Sequence, residues 1–278
     1  MPRTRIGYVD DDLNNFHADV YLKLLRETLS DRGFEIAGCT ALQDEAGRAW
    51  AQRQGVPYFE NVAALDEAVD CYMVLAPGTP ETHLPLCEQV LPRGKPTFVD
   101  KTFAPDTATA QRLFELADEH GAPMQSSSAL RYTAVQAHAR QAGAVRHMVT
   151  WGGGRSFDEY AIHPVEMAVS CLGPEVRTLM RRGRAGEDQL LLEFDGDRTA
   201  VVNVFTSLPT PFAAAVTSEA GTAWVPVDTD TLFRDALAAI LDFFERGAPA
   251  VDRAETLAIR RILDAAAKPE ARAGFVAV

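Results

Sequence analysis

Between residues 6 and 126, short apolar runs alternate with helical stretches, and this alternation limits the fold more than any other feature of the chain. Residues 6–9, 34–39, 71–75, 96–99 and 123–126 read as strands. Between the first two, Val20, Tyr21, Leu24, Leu25 and Leu29 recur at helical spacing over 18–32. Further helices are expected over 45–54, 62–68, 82–91 and 107–120, three of them closed by the helix-stopping glycines Gly55, Gly94 and Gly121. Such an alternation specifies a parallel sheet with helices on both faces. Ligands of such sheets bind at the carboxyl ends of the strands, where this chain presents Asp10, Thr40, Ala76-Pro77 and Asp100-Lys101.

The texture changes after about residue 130. A helix over 133–142 leads to a strand at 145–151, a Gly152-Gly153-Gly154 turn, and a helix ending at Gly173-Pro174. Strand patterns follow at 189–194, 200–206, 213–217 and 222–226, with Asp195-Gly196 as a hairpin signal. Helices at 231–246 and 254–267 close the chain. The expected fold class is α/β, a Rossmann-like parallel-sheet domain over 1–125 followed by an α+β domain over 126–278 with a mostly antiparallel sheet.

The 278 residues are 47% hydrophobic and carry a net charge of -12, which argues against nucleic acid as a partner because phosphate contacts need clustered Lys and Arg. The basic run Arg177, Arg181, Arg182 and Arg184 is read as a solvated face. Cys39, Cys71, Cys87 and Cys171 lack metal-binding spacing and fit reduced thiols, so no metal centre is expected. The first residues run straight into a strand without a signal-peptide core, and no apolar run approaches the roughly 20 residues of a membrane span. A cytoplasmic protein with a small-molecule ligand and no membrane partner is the expectation.

Two segments carry a family pattern. Val74-Leu75-Ala76-Pro77-Gly78-Thr79-Pro80-Glu81-Thr82-His83 is followed by Gly94-Lys95-Pro96-Thr97-Phe98-Val99-Asp100-Lys101-Thr102-Phe103-Ala104. They resemble the T-P-x-x-x-H and G-K-x-V-x-x-E-K-P-x-A segments of the Gfo/Idh/MocA family of NAD(P)-dependent sugar and polyol oxidoreductases. His83 comes one residue early, and Asp100-Lys101-Thr102 stands for Glu-Lys-Pro. Leu130-Arg131-Tyr132 resembles the family's opening of the second domain, Glu159 to Glu166 its D-x-x-x-H-x-x-D helix, and 254–267 its end.

The resemblance implies a site in which Lys101, His163 and Glu159 act beside a nicotinamide. His163 would take a hydroxyl proton, for which imidazole titrates in the right range, and Lys101 would face the developing oxyanion. Arg131, Tyr132 and Glu166 are implied substrate-side residues, and a homo-oligomer is implied as well. The residues also allow plainer readings. Lys101 suits a strand-end surface lysine, His163 a helix-start histidine satisfied by backbone, and Ser156-x-x-Glu159 a capping box. Pro164 belongs in the first turn of a helix, which would leave Glu159 in the loop before it.

The cofactor signature conflicts with the family. Aligned on its first strand, Asp10 and Asp12 take the places of the first two fingerprint glycines and Asn15 that of the third. Glycine there lets backbone approach the pyrophosphate. A carboxylate about 5 Å from one phosphate charge costs about 3 kcal/mol at an effective dielectric of about 20, or about two decades of affinity. NAD or NADP in an atypical mode is the expectation, with Asp10, Asp12, Asn15, Thr40, Pro77 and His83 as cofactor-side residues. Asp10-Asp11-Asp12 has three readings: a turn with a helix cap, a ligand site in which Asp10, Asp12 and His17 bind hydroxyls, and a hard-cation site. The function expected is oxidation of a sugar, polyol or related hydroxy compound. The alternative is a cofactor-independent lyase or isomerase, or a non-catalytic binding protein, that has lost the dinucleotide.

Overall fold

The computed structural model describes residues 3–278 and divides into two compact units. The first comprises the chain up to Ser127 together with Phe233–Asp252. Its elements are β1 (Thr4–Asp10), α1 (Phe16–Arg26), β2 (Phe34–Ala41), α2 (Asp44–Gln54), α3 (Val62–Asp66), β3 (Cys71–Val74), α4 (His83–Val90), β4 (Thr97–Val99), α5 (Thr107–Glu119) and β5 (Met124–Ser126). The strands form one parallel sheet in the order β2-β1-β3-β4-β5. The chain winds outward in both directions from between β1 and β3, so a topological switch point lies there.

The strands of this sheet read as continuous apolar runs because helices cover both faces. Ile6, Tyr8, Met73 and Phe98 are almost wholly buried in one core with Leu22 and Trp50. Gly7 sits inside β1 for packing reasons, since an added Cβ would lie 3.2 Å from Leu65, Val69 and Tyr72. Helix α1 starts at Phe16, two residues before the stretch expected over 18–32. Leu13 adopts a left-handed backbone (φ 62°), and Asn15 caps the helix by accepting the Ala18 N–H. The helix ends at Arg26, and a single 3-10 turn, Ser30–Arg32, precedes Gly33.

The second unit comprises Ser128–Leu232 and Arg253–Val278. It contains α6 (Ala134–Ala142), β6 (Val145–Gly152), α7 (Phe157–Tyr160), α8 (Ile162–Leu172), β7 (Val176–Arg184), β8 (Glu187–Phe194), β9 (Arg198–Phe205), β10 (Ala213–Ser218) and β11 (Gly221–Pro226). Then follow α9 (Leu232–Arg246), most of which belongs to the first unit, α10 (Arg253–Ala267) and β12 (Val276–Ala277). The sheet runs β11-β10-β6-β9-β8-β7-β12 and is antiparallel except between β6 and β9. Helices α6, α8 and α10 lie against it, over inward residues such as Met148, Leu190, Val202 and Leu179.

Two expectations change. Sequence order placed both closing helices in the second domain, but Leu237, Ile240, Leu241, Phe243 and Phe244 of α9 join the core of the first unit. The basic run is not wholly a solvated face, because it forms β7. Arg177, Arg182 and Arg184 are exposed. Arg181 instead turns inward, donating to buried Asp188 (2.8 Å) and covering the Phe157 ring at 3.6 Å. The four cysteines are free thiols, and burial pushes Cys39 up to about 12. Among the described residues no helix is long and apolar enough to cross a membrane.

Candidate functional site

The β1–α1 turn is organised by Asp10, which is 1% exposed. Its Oδ1 accepts the N–H groups of Asp11 (2.6 Å) and Asp12 (3.4 Å), and its Oδ2 accepts from Asn15 Nδ2 (2.9 Å). The Ala76 N–H, just beyond β3, is a further donor to this carboxylate. Burial pushes the Asp10 carboxyl up, and these donors pull the other way. Asp12 Oδ1 accepts the Asn14 N–H (2.8 Å). Asp11 is tied to the start of α2, where the Gln43 N–H donates to its carbonyl (2.8 Å) and Gln43 Nε2 to its Oδ2 (3.1 Å). This arrangement matches the turn-and-cap reading of the aspartates, with the cap supplied by Asn15. Among the described residues no cluster of His, Cys, Asp or Glu is arranged to hold a metal ion.

The end of β4 supplies Asp100 and Lys101. Asp100 is buried, with Oδ1 accepting the Lys101 N–H (2.8 Å) and Oδ2 accepting from His17 Nδ1. The His17 ring is fixed by edge contacts with Phe16, Tyr21 and Phe233. The Lys101 side chain is 8% exposed, and its Nζ donates to the Pro77 carbonyl (3.2 Å). That is its one hydrogen-bond partner among the described residues, so two of the ammonium's three donors remain for a ligand. Lys101 is therefore not the surface lysine of the plainer reading.

His83 requires a correction. It is fully buried, with Nδ1 3.0 Å from the Phe103 carbonyl and Nε2 2.7 Å from the Leu75 carbonyl. Both ring nitrogens are committed to backbone, so it braces the loops after β3 and β4 and does not face a cofactor. Thr40 is the penultimate residue of β2 and is 5% exposed.

In the second unit, His163 Nδ1 lies 2.7 Å from Ser128 Oγ, with Tyr160 and Phe212 against the ring. Pro164 falls in the first turn of α8, where proline is tolerated. Glu159 belongs to the short α7, its N–H donating to Ser156 Oγ (3.3 Å) and its carboxylate taking Arg155 Nη2 (2.8 Å). The Ser156 cap is thus present. Arg131 and Glu166 were expected to face substrate, but they are spent on each other. Arg131 Nε donates to Glu166 Oε1 (2.5 Å) and Nη1 to Glu255 Oε2 (2.5 Å), and Glu166 also accepts the Ser128 N–H (3.2 Å). Burial pushes Glu166 up, against the pull of Arg131. This ion-pair network fixes the backbone that carries Ser128, and through it His163. Tyr132 is half-buried beside Arg131.

Three participants were not assigned from sequence. Asp100 was visible only as a substituted motif residue, Ser128 precedes the motif that was recognised, and Glu255 lies in the closing segment with no role attached.

Residues 14–128 match the family described as "Oxidoreductase family, NAD-binding Rossmann fold". A sequence search of curated proteins finds no match. Among solved structures, GenD2 from gentamicin A biosynthesis in complex with NAD is 18% identical, with TM-score 0.78, over 100% of this chain and 97% of that one. An oxidoreductase from Agrobacterium radiobacter in complex with NAD+, L-tartaric acid and magnesium is 16% identical, with TM-score 0.77 and 98% of each chain covered. The scyllo-inositol dehydrogenase from Lactobacillus casei is 13% identical, with TM-score 0.80, over 99% of this chain and 98% of that one. At these identities the likeness is one of fold.

Proposed function

We propose that the protein, whose residues 14–128 match an oxidoreductase family with an NAD-binding Rossmann fold, oxidises a hydroxyl group of a sugar, polyol or related compound with NAD(P) as the oxidant. The observation that carries this reading is Lys101, a buried ammonium at the carboxyl end of an interior strand with a single, neutral partner among the described residues. A cation left with open donors beside a ligand-binding strand end suits a developing alkoxide. Sugar and inositol dehydrogenases among the fold neighbours favour a polyhydroxylated substrate.

Lys101 holds the substrate oxygen, and Asp100, by accepting the Lys101 N–H, fixes the backbone from which that side chain extends. His163 takes the hydroxyl proton, its ring oriented by Ser128. NAD(P) supplies the hydride acceptor, but the β1–α1 turn does not fit its diphosphate in the usual pose. Asp10 has a side chain where glycine is needed, and its carboxylate already takes the turn's N–H groups.

The test is a panel of inositols, aldoses and sugar acids, assayed for NAD(P)H formation by absorbance with wild type and Lys101→Met. Substrate-dependent reduction that Lys101→Met abolishes is expected. A wild type that reduces neither nucleotide with any member of the panel would sink the reading.

We also propose that a second copy of the chain covers the open face of the seven-stranded sheet. Trp224, Ala215, Val149, Val201, Leu191 and Met180 are in register across six strands and point away from the buried side. The row carries no charge, so an isologous pairing about a two-fold axis sets apolar surface on apolar surface with no like-charge conflict. Light scattering is expected to give a dimer for wild type and a monomer for Val149→Asp. A wild-type monomer at micromolar concentration would overturn it.

A further inference from the structure

The turn that a dinucleotide-binding fold keeps open for phosphate is filled here by the protein's own anion. In a glycine-fingerprint turn, successive backbone N–H groups point at the diphosphate and the helix N-terminus favours its charge. In this chain the N–H groups of Asp11 and Asp12 point at Asp10 Oδ1. Asn15, in place of the last fingerprint glycine, gives its side-chain N–H to Asp10 Oδ2, and its Oδ1 accepts the Ala18 N–H. The Asn14 N–H goes to Asp12. Donors that would meet a phosphate are therefore spent within the turn.

The turn is also held in place. The Leu42 N–H donates to the Asp10 carbonyl (3.1 Å) and the Gln43 N–H to the Asp11 carbonyl (2.8 Å), which ties it to the end of β2 and the start of α2. The Asp10 carboxylate holds Ala76, which has a left-handed backbone (φ 46°), at the other side of the switch point. No Lys or Arg forms an ion pair with Asp10, Asp11 or Asp12 among the described residues.

We propose that Asp10 is a resident surrogate for the cofactor's phosphate, closing the β1–α1 turn so that NAD(P) binds weakly and with its diphosphate displaced from this turn. The inference rests on the reading above only in taking NAD(P) as the ligand. It assigns to Asp10 a specificity-determining role, with Asp12 adding repulsion at the rim.

The test is titration of NADH and NADPH, by nicotinamide fluorescence and calorimetry, into wild type, Asp12→Asn, Asp10→Asn and the Asp10→Gly/Asp12→Gly double variant. Asp10→Asn keeps an oxygen acceptor for the turn, and thermal melts establish that each variant is folded. Affinity should rise a few-fold in Asp12→Asn and about a hundredfold in the double variant. For wild type, binding should strengthen as salt is raised from about 50 to about 500 mM, because salt screens repulsion between the aspartates and the diphosphate. Affinities in all folded variants within twofold of wild type, or wild-type binding that weakens with salt, overturn the inference. The salt titration needs no variant, so it decides the matter even where the double variant fails to fold. Failure of the oxidoreductase reading shows instead as absent substrate turnover, whatever the ratios between variants.

Discussion

His17 and Asp100, 83 residues apart in sequence, are joined at the carboxyl end of the parallel sheet, the imidazole Nδ1 donating to a buried carboxylate that also receives the Lys101 N–H. Asp100 thereby links the start of α1 to the strand end that carries the candidate ammonium. Truncating it leaves the buried Lys101 N–H and the half-buried His17 ring without their acceptor. Asp100→Ala is expected to lower stability by about 2–4 kcal/mol and Asp100→Asn by less, as urea unfolding would measure. An Asp100→Ala protein as stable as wild type would contradict the pairing.

The Arg131 network makes a second demand. Glu166 is 2% exposed, and Arg131 is its ion-pair partner. Arg131→Met would leave that carboxylate buried without its cation, at a cost of about 3–5 kcal/mol. Arg131→Lys cannot present the same fork to Glu166 and Glu255 and should recover only part of the loss. Equal melting temperatures for Arg131→Met and wild type would show the network to be unimportant.

Once a substrate is in hand, the two candidate catalytic groups should separate in kinetics. Lys101→Met removes a cation from a forming oxyanion and should lower kcat by about 10²–10³-fold. His163→Ala removes proton transfer and should lower it by about 10²–10⁴-fold, with activity regained as pH rises. A His163→Ala enzyme with the wild-type pH profile would remove His163 from the proton path.

Acid stability has a named contributor. Burial pushes the Asp66 carboxyl up, but hydrogen bonds from Lys95 Nζ (2.5 Å) and Tyr72 Oη (2.7 Å) outweigh it and hold Asp66 below the usual carboxylate range. A depressed carboxyl stabilises the fold fully above its unfolded value of about 3.9 and ceases to do so as pH falls through its folded value. Asp66→Asn should therefore be less stable than wild type near neutrality, and the two stability curves should converge below about pH 4. Curves that stay parallel in urea titrations across that range would exclude Asp66 as the source.

The sheet of the first unit was legible because its strands are apolar runs and glycines such as Gly55, the cap of α2, punctuate the helices, so local pattern and tertiary role agree. Strand β7 was not, because its arginines read as solvent-facing until Asp188 is seen to receive Arg181. The position of α9 was also hidden, since an amphipathic face does not say which core it joins. At the site, Lys101 was found through its motif, whereas its neighbour Asp100 was not, because its pairing with His17 is a tertiary contact that spacing cannot show. His83 and Arg131 were singled out by motif alone, yet their side chains serve the backbone and the ion-pair network. A motif marks a position as constrained without saying whether the constraint is chemical or architectural.

The return of Phe233–Asp252 to the first unit sets an order on synthesis. When Ser127 leaves the ribosome the parallel sheet is complete, yet Leu237, Ile240, Leu241, Phe243 and Phe244, which finish its core, are still unmade. At about 5–20 residues per second the nascent sheet waits roughly 6–25 s for that helix, with apolar surface uncovered. A fragment stopped near residue 127 would inherit the same defect permanently, so the parallel-sheet unit of this protein cannot be isolated by a single cut.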